Sequence, residues 1–143
     1  MPTRNTLTSV GLLLLRITFG CLMLVHGIQK MMGFSEMADK FPDPIGMGSQ
    51  LSLLSAIGAE VGCSLLLIAG LGTRIAAIPL AFTMVVALFI IHADDPWKVK
   101  ELAAAYLSVY VVLAVTGPGE YSLDSLLFKR GQATEEEGRM PSD

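Results

Sequence analysis

The stretch LLLLRITFGCLMLVHGIQKMMGF, Leu12–Phe34, decides the fold of this chain. A helix needs about 20 apolar residues to span a membrane, and this segment supplies them while carrying polar side chains. Arg16 lies near one end, and His26, Gln29 and Lys30 lie near the other. A charged side chain in hydrocarbon costs at least about 2.5–3.5 kcal/mol, so it must face a protein interior or a wet cavity. The stretch therefore predicts a spanning helix whose polar face is covered by other helices.

One face of this helix combines charge with small residues. Its members are spaced three or four positions apart, which places them on one side of a helix: Arg16, Gly20, Met23, Gly27 and Lys30. Glycines let membrane helices approach one another closely. This face is therefore expected to pack against the rest of the bundle.

The composition assigns the chain to membrane proteins. Of its 143 residues, 52% are hydrophobic and only 16% are charged, whereas soluble domains carry about 25% charged residues. The net charge of -3 gives no basis for binding nucleic acid. The first apolar run is interrupted by Arg16 and lacks an A-x-A cleavage site, so it is expected to remain uncleaved.

Apolar segments bounded by glycine, proline and charge predict spans at 7–31, 51–69, 75–92 and 98–116. The predicted fold is all-α, an integral membrane four-helix bundle over residues 1–128. Residues 129–143 are expected to form a polar, mobile tail.

Two connecting segments carry apolar residues of their own. Phe34, Met37 and Phe41 are three and four positions apart, which predicts a short interfacial helix in a loop that either folds over the mouth of the bundle or simply connects two spans. Residues 121–127 are expected to lie on the membrane surface as a short amphipathic piece.

Four spans place both termini on one side of the membrane. Lys and Arg are more numerous on that side by a narrow margin, which predicts cytoplasmic termini. Arg74, before the third span, and Trp97, at the start of the fourth, are expected to act as anchors at the membrane–water interface.

Glu60 lies within the second predicted span, between Gly58 and Gly62. The GxxxG spacing predicts a close helix contact, and a carboxylate at this depth is expected to be paired or functional. Counting 1.5 Å per residue from the surface that carries Lys30 places Glu60 about 15 Å deep and Arg16 about 21 Å deep. The sequence therefore predicts that Glu60 and Arg16 approach one another, directly or through one polar group.

His26, Lys30, His92 and Glu101 are expected together at the mouth of the bundle. Without a spacing such as HxxxH, they predict no metal site. They are suited to hydrogen-bonding a quinone or relaying protons, and the alternative is that each histidine is a satisfied residue at a helix end. Two cysteines, Cys21 and Cys63, are expected as buried thiols, and a disulfide between them stays open.

The order and spacing of several pieces resemble the DoxX family of small bacterial membrane proteins. They are LLRITFGCLMLVHGIQK, AEVGCSLLLIAGLGTRIAA, Trp97 with Glu101, and GPGEYSLDSLL, which together cover residues 12–127. Cys63 departs from the family pattern, which has a glycine there. The resemblance implies a four-helix bundle in the bacterial inner membrane with recurring polar positions at Arg16, His26, Lys30, Glu60, Arg74 and Glu101.

The resemblance also implies a role in membrane redox chemistry. The related DoxD subunit belongs to a thiosulfate:quinone oxidoreductase, and other DoxX-like proteins are linked to redox-defence complexes. The leading hypothesis is therefore a redox subunit that contacts quinone or a partner oxidoreductase, alone or as a homo-oligomer. Whether the chain is itself an enzyme stays open. A scaffold or assembly factor is the alternative, and a small transporter is less favoured because internal repeats and broken spans are missing.

Overall fold

The computed structural model describes residues 4–128, which are mostly helical and contain no β-strand. The predicted tail, 129–143, lies outside the described residues and stays a prediction. A last short helix covers residues 123–128. The elements before it are α1 (Arg4–Met32), the short α2 (Phe34–Met37), α3 (Ser49–Ala69), α4 (Thr73–Ile91) and α5 (Trp97–Thr116).

Four of these helices, α1, α3, α4 and α5, are long and apolar enough to cross a membrane. They confirm the predicted all-α bundle, and their bounds agree with the predicted spans to within a few residues. Each helix packs against the next around the bundle, and α5 closes it against α1. The centre is filled by Met23, Leu67, Leu80, Tyr110 and Leu113, each almost fully buried.

The predicted packing face of α1 is confirmed. Arg16, Gly20, Met23 and Gly27 are buried, and Lys30 is half-buried. The glycines allow α3 to approach closely. A Cβ atom added at Gly20 would lie 2.7 Å from Ile68 Cγ1, and one added at Gly27 would lie 2.8 Å from Val61 Cγ2.

The predicted contact role of the glycines in α3 is wrong. Gly58 and Gly62 are exposed, and nothing lies within 4 Å of a Cβ added at either. The reason is helical phase. Both glycines are two positions from Glu60, which is about 200° around a helix, and Glu60 points inward. The close approach between α1 and α3 therefore depends on the glycines of α1.

The loop between α1 and α3 is folded by Asp43. Its carboxylate accepts hydrogen bonds from the Met47 and Gly48 backbone N–H groups, at 2.9 and 2.8 Å, and from the Ser52 hydroxyl at 2.9 Å. These bonds, led by that of Gly48, lower the pKa of the Asp43 carboxyl. Asp43 thereby ties the loop to the first turn of α3.

Candidate functional site

A cavity of about 450 Å³ lies between α3 and α4, near the end of the bundle that carries Lys30. Part of the loop contributes to its wall, namely Phe41, Pro42, Pro44, Ile45 and Met47, which agrees with the first of the two alternatives, that this loop folds over the bundle. Most of the lining side chains are apolar. The polar lining residues are Lys30, Ser52, Ser55, Glu60, Thr83 and His92.

An ion pair joins α1 to α3 at the cavity wall. The Lys30 ammonium donates a hydrogen bond to Glu60 Oε1. The Glu60 side chain is only 3% exposed, whereas that of Lys30 is 29% exposed. The second carboxylate oxygen, Glu60 Oε2, is buried and has no hydrogen-bond partner among residues 4–128. The cavity is thus lined by a buried carboxylate with one unused acceptor.

Both helices that form the cavity contain a π-helical segment beside it. In α3 the segment is Gly58–Cys63, and in α4 it is Ala87–Ile91. Glu60 lies in the first, and Ala87 and Ile91 of the second line the cavity. Short π segments are uncommon and recur at functional sites, since they locally redirect side chains. Their coincidence at one cavity identifies this end of the bundle as the candidate site.

The predicted approach of Glu60 to Arg16 is wrong. A Cβ added at Gly27 would lie 2.9 Å from Glu60 Cβ, whereas Arg16 contacts Leu67 near the far end of α3. Gly27 and Arg16 are about 16 Å apart along α1 at 1.5 Å per residue. Glu60 lies level with Gly27, and Ser49 is farther along the helix from Glu60 than Met32 is from Gly27, so α3 extends about 9 Å past the end of α1 at 1.5 Å per residue. The predicted depths were wrong because they placed these two helix ends at the same level.

Arg16 instead forms a separate polar cluster. Its guanidinium is fully buried and donates to the Leu67 carbonyl at 3.1 Å and to the Tyr121 carbonyl at 2.5 Å. It also interacts electrostatically with Asp124. A side chain at Gly70 would collide with the guanidinium, and Gly70 has φ +70°. Arg16 therefore joins the end of α3 to the segment after α5.

Asp124 completes this cluster by holding the start of α4. Its carboxylate accepts from the Gly72 N–H at 2.9 Å and the Thr73 N–H at 3.4 Å. A carboxylate at a helix N-terminus is favoured by the unpaired N–H groups and the helix dipole. The predicted surface piece, 121–127, is thus pinned to the bundle at Tyr121 and Asp124.

Besides Arg16, three predicted site residues lie outside the cavity. His26, Gln29 and Glu101 are exposed. His26 packs edge-on against Tyr106, with ring centroids 6.1 Å apart. The cause is again phase, since His26 and Gln29 each precede an inward residue of α1 by about 100° of helix. Of the seven candidates, the structure brings only Lys30, Glu60 and His92 to one place.

The remaining predicted residues lie away from the cavity or at the surface of the bundle. Arg74 is exposed and donates to the Thr116 carbonyl at 3.5 Å, and Trp97 is exposed at the start of α5. Cys21 is exposed, contrary to expectation, and within the described chain it forms no disulfide with Cys63. Residues 4–128 contain no group of three His, Cys, Asp or Glu side chains that could hold a metal.

Sequence reasoning missed several residues of the cavity. Thr83 follows Pro79 by one turn, and both line it, as does Ser52. The signal that could have found Thr83 is that it is the single polar residue between Ile75 and Ile91. The two π segments have no comparable signature in the sequence.

The sequence of this chain is similar to a known family and to several known proteins. The sequence model of the DoxX family matches residues 11–93. An uncharacterized protein of Haemophilus influenzae is 32% identical over 85% of this chain and 86% of its own. A Bacillus subtilis protein named "Putative oxidoreductase CatD" is 31% identical over 87% of this chain and 92% of its own. Inner membrane protein YphA of Escherichia coli is 31% identical over 80% of this chain and 89% of its own. No solved structure matches.

Proposed function

Because this chain belongs to the DoxX family and has four membrane-spanning helices, we propose that it is a redox-associated membrane subunit whose cavity binds a quinone-class ring. The observation that carries this proposal is the buried position of Glu60 at the cavity. It is 2% exposed, lines a cavity of about 450 Å³, and keeps one oxygen without a partner among the described residues.

The cavity has the general features of a site for a lipophilic ring. Ligand pockets measure about 300–1,000 Å³ and combine apolar walls with a few convergent polar groups. Apolar residues such as Phe41, Met47 and Phe82 supply the walls here, while Lys30 and Glu60 supply the polar groups. A quinone ring matches this division because it is flat and apolar with oxygen atoms at opposite ends.

Access from the bilayer fits the same ligand. Ile45 and Phe82 line the cavity yet are 55% and 54% exposed. Phe82 lies near the middle of α4 and in a membrane would face the lipid, whereas Ile45 lies in the loop outside the spans, so a lipophilic molecule can reach the cavity beside Phe82 without crossing water. The name of the Bacillus subtilis relative supports a redox setting. A partner oxidoreductase would exchange electrons with the ring, and this chain would hold it.

The proposal includes a location. The Escherichia coli relative named above is an inner membrane protein, and we place this chain in the bacterial inner membrane with both termini in the cytoplasm. A reporter that is active only in the periplasm, fused after residue 143, should be inactive. An active fusion would reverse the orientation without affecting the cavity.

Binding can be measured on protein purified into lipid nanodiscs. We expect a short-chain benzoquinone, tested in its oxidised and reduced forms, to bind saturably by calorimetry. Ala59→Phe places a ring in the cavity that Ala59 lines and should abolish binding. Val111→Phe makes the same kind of change at a residue that is 49% exposed and should leave binding unchanged.

Failure of the wild-type protein to bind either form would refute the proposed function and favour the scaffold alternative. Equal loss in both variants would show that binding depends on bundle stability and not on the cavity. Thermal unfolding of each variant separates these outcomes.

A further inference from the structure

We infer that the cavity selects the reduced, hydroxyl-bearing form of its ligand, a hydroquinone, over the oxidised quinone. This inference rests on the proposed function, since it takes binding of a quinone-class ring as its premise and names the redox form. It depends on which polar atoms at the cavity are free to donate hydrogen bonds and which are free to accept them.

The buried free atom at the cavity is an acceptor. Glu60 Oε1 receives a hydrogen bond from Lys30, and Oε2 has no partner among residues 4–128. An ionised carboxylate can only accept. A buried polar atom without a partner is unfavourable, so a ligand that brings a donor gains more than one that brings an acceptor. A hydroquinone has two hydroxyl donors, whereas a quinone has none.

Two hydroxyls at the cavity have already used their hydrogens. The Thr83 hydroxyl donates to the Leu80 carbonyl at 2.8 Å, and the Ser52 hydroxyl donates to Asp43 at 2.9 Å. What these hydroxyls can still offer a ligand is a lone pair.

His92 follows the same pattern. Its Nδ1 lies 2.7 Å from Asp95 Oδ2, and because a carboxylate only accepts, the ring proton sits on Nδ1. In the neutral imidazole Nε2 is then an acceptor. The acceptors at the wall around the ligand are therefore Glu60, Ser52 and Thr83, and His92 Nε2 joins them only when the imidazole is neutral.

The remaining hydrogen-bond donors at the cavity, Lys30 and Ser55, are exposed enough to bond to solvent. The Lys30 ammonium already donates to Glu60, and its side chain is 29% exposed, so solvent can take its other N–H groups. Ser55 is exposed as well. A quinone carbonyl would have to compete with solvent for these N–H and O–H groups, whereas a hydroquinone hydroxyl would give Glu60 Oε2 the partner that it lacks among residues 4–128. A site built for a hydroxyl discriminates strongly against the analogue that lacks it.

The test compares ligands on the wild-type protein in nanodiscs under anaerobic, reducing or oxidising conditions. We expect decyl-hydroquinone to bind at least about tenfold more tightly than the matching quinone. Its dimethyl ether, which keeps the ring and tail but has no donor, should bind as weakly as the quinone. Because this arm uses only the wild-type protein, it does not depend on any variant folding.

A variant pair assigns the preference to Glu60. Glu60→Gln introduces an amide N–H, so the preference should shrink to about threefold or less, while Glu101→Gln, at an exposed carboxylate outside the cavity, should keep it. Equal affinity for all three ligands, or tighter binding of the quinone, would overturn this inference but leave the proposed function standing. Absence of binding by every ligand would overturn both.

Discussion

The Lys30–Glu60 ion pair makes an asymmetric prediction about stability. Lys30→Met leaves the Glu60 carboxylate with no cation at a side chain that is 3% exposed. Glu60→Gln leaves the Lys30 ammonium, whose side chain is 29% exposed and can turn toward solvent. The two halves of the pair should therefore not be equally sensitive to loss of their partner.

The magnitudes follow from burial. Removing one partner of a buried pair costs about 3–5 kcal/mol, because an uncompensated charge remains in the interior. We assign that range to Lys30→Met. For Glu60→Gln we expect a smaller loss, about 1–2 kcal/mol, because the remaining charge keeps part of its hydration. The double variant removes both charges and should recover about 1–3 kcal/mol of the summed losses.

Equilibrium unfolding in mixed micelles measures these differences, followed by the fluorescence of Trp97, which is the single tryptophan of the chain. Arg16→Gln combined with Glu60→Gln serves as the control cycle. Arg16 contacts Leu67 and Tyr121, not Glu60, so those two losses should add. A larger loss of stability for Glu60→Gln than for Lys30→Met, or coupling of Glu60 to Arg16 and not to Lys30, would contradict the ion pair's assigned role.

Three further predictions follow from single contacts. Gly27→Ala should destabilise the bundle by about 1–3 kcal/mol in the same unfolding assay, because its Cβ would lie 2.8 Å from Val61 Cγ2, while Gly62→Ala, with nothing within 4 Å, should be neutral or slightly stabilising; equal effects would contradict the observed helix contact. Protection of the loop tied by Asp43 against hydrogen exchange, measured relative to the intrinsic exchange rate at each pH, should be complete above the ordinary Asp pKa and be lost as pH falls through its lowered native pKa, and a protection profile that Asp43→Asn leaves unchanged would exclude Asp43 as the cause. Arg16→Gln should release residues 121–128 from the bundle, seen as faster proteolysis there with little change at the cavity; equally fast cleavage in the wild-type protein would refute the pinning by Arg16.

Much of the architecture could be predicted from the length of the apolar segments and the spacing of residues within them. The four spans, the helical loop segment and the packing face of α1 all follow from residue spacing in a chain that must satisfy its backbone within the bilayer. Such patterns fix which residues share a face of one helix. They do not fix how far one helix is displaced along its neighbour.

The candidate site was harder because it depends on that displacement. Lys30 and Glu60 were both predicted as polar core residues, but the depths estimated from the sequence predicted a pair between Glu60 and Arg16. The length of the loop between α1 and α3 does not reveal how far the start of α3 extends past Met32 along the bundle axis. The π segment around Glu60 changes the local phase as well, so Gly58 and Gly62 mimic a contact motif while facing outward.

The central claim is that a quinone-class ring occupies the cavity beside Glu60. Its most direct test is photo-crosslinking of an azido-quinone in native membranes, with the modified peptides mapped by mass spectrometry. We predict adducts confined to the cavity walls, at Lys30 and within residues 41–60 and 79–92, that disappear when unlabelled decyl-hydroquinone is present in excess. Adducts spread over the lipid-facing sides of all four spanning helices, unaffected by the competitor, would contradict the claim.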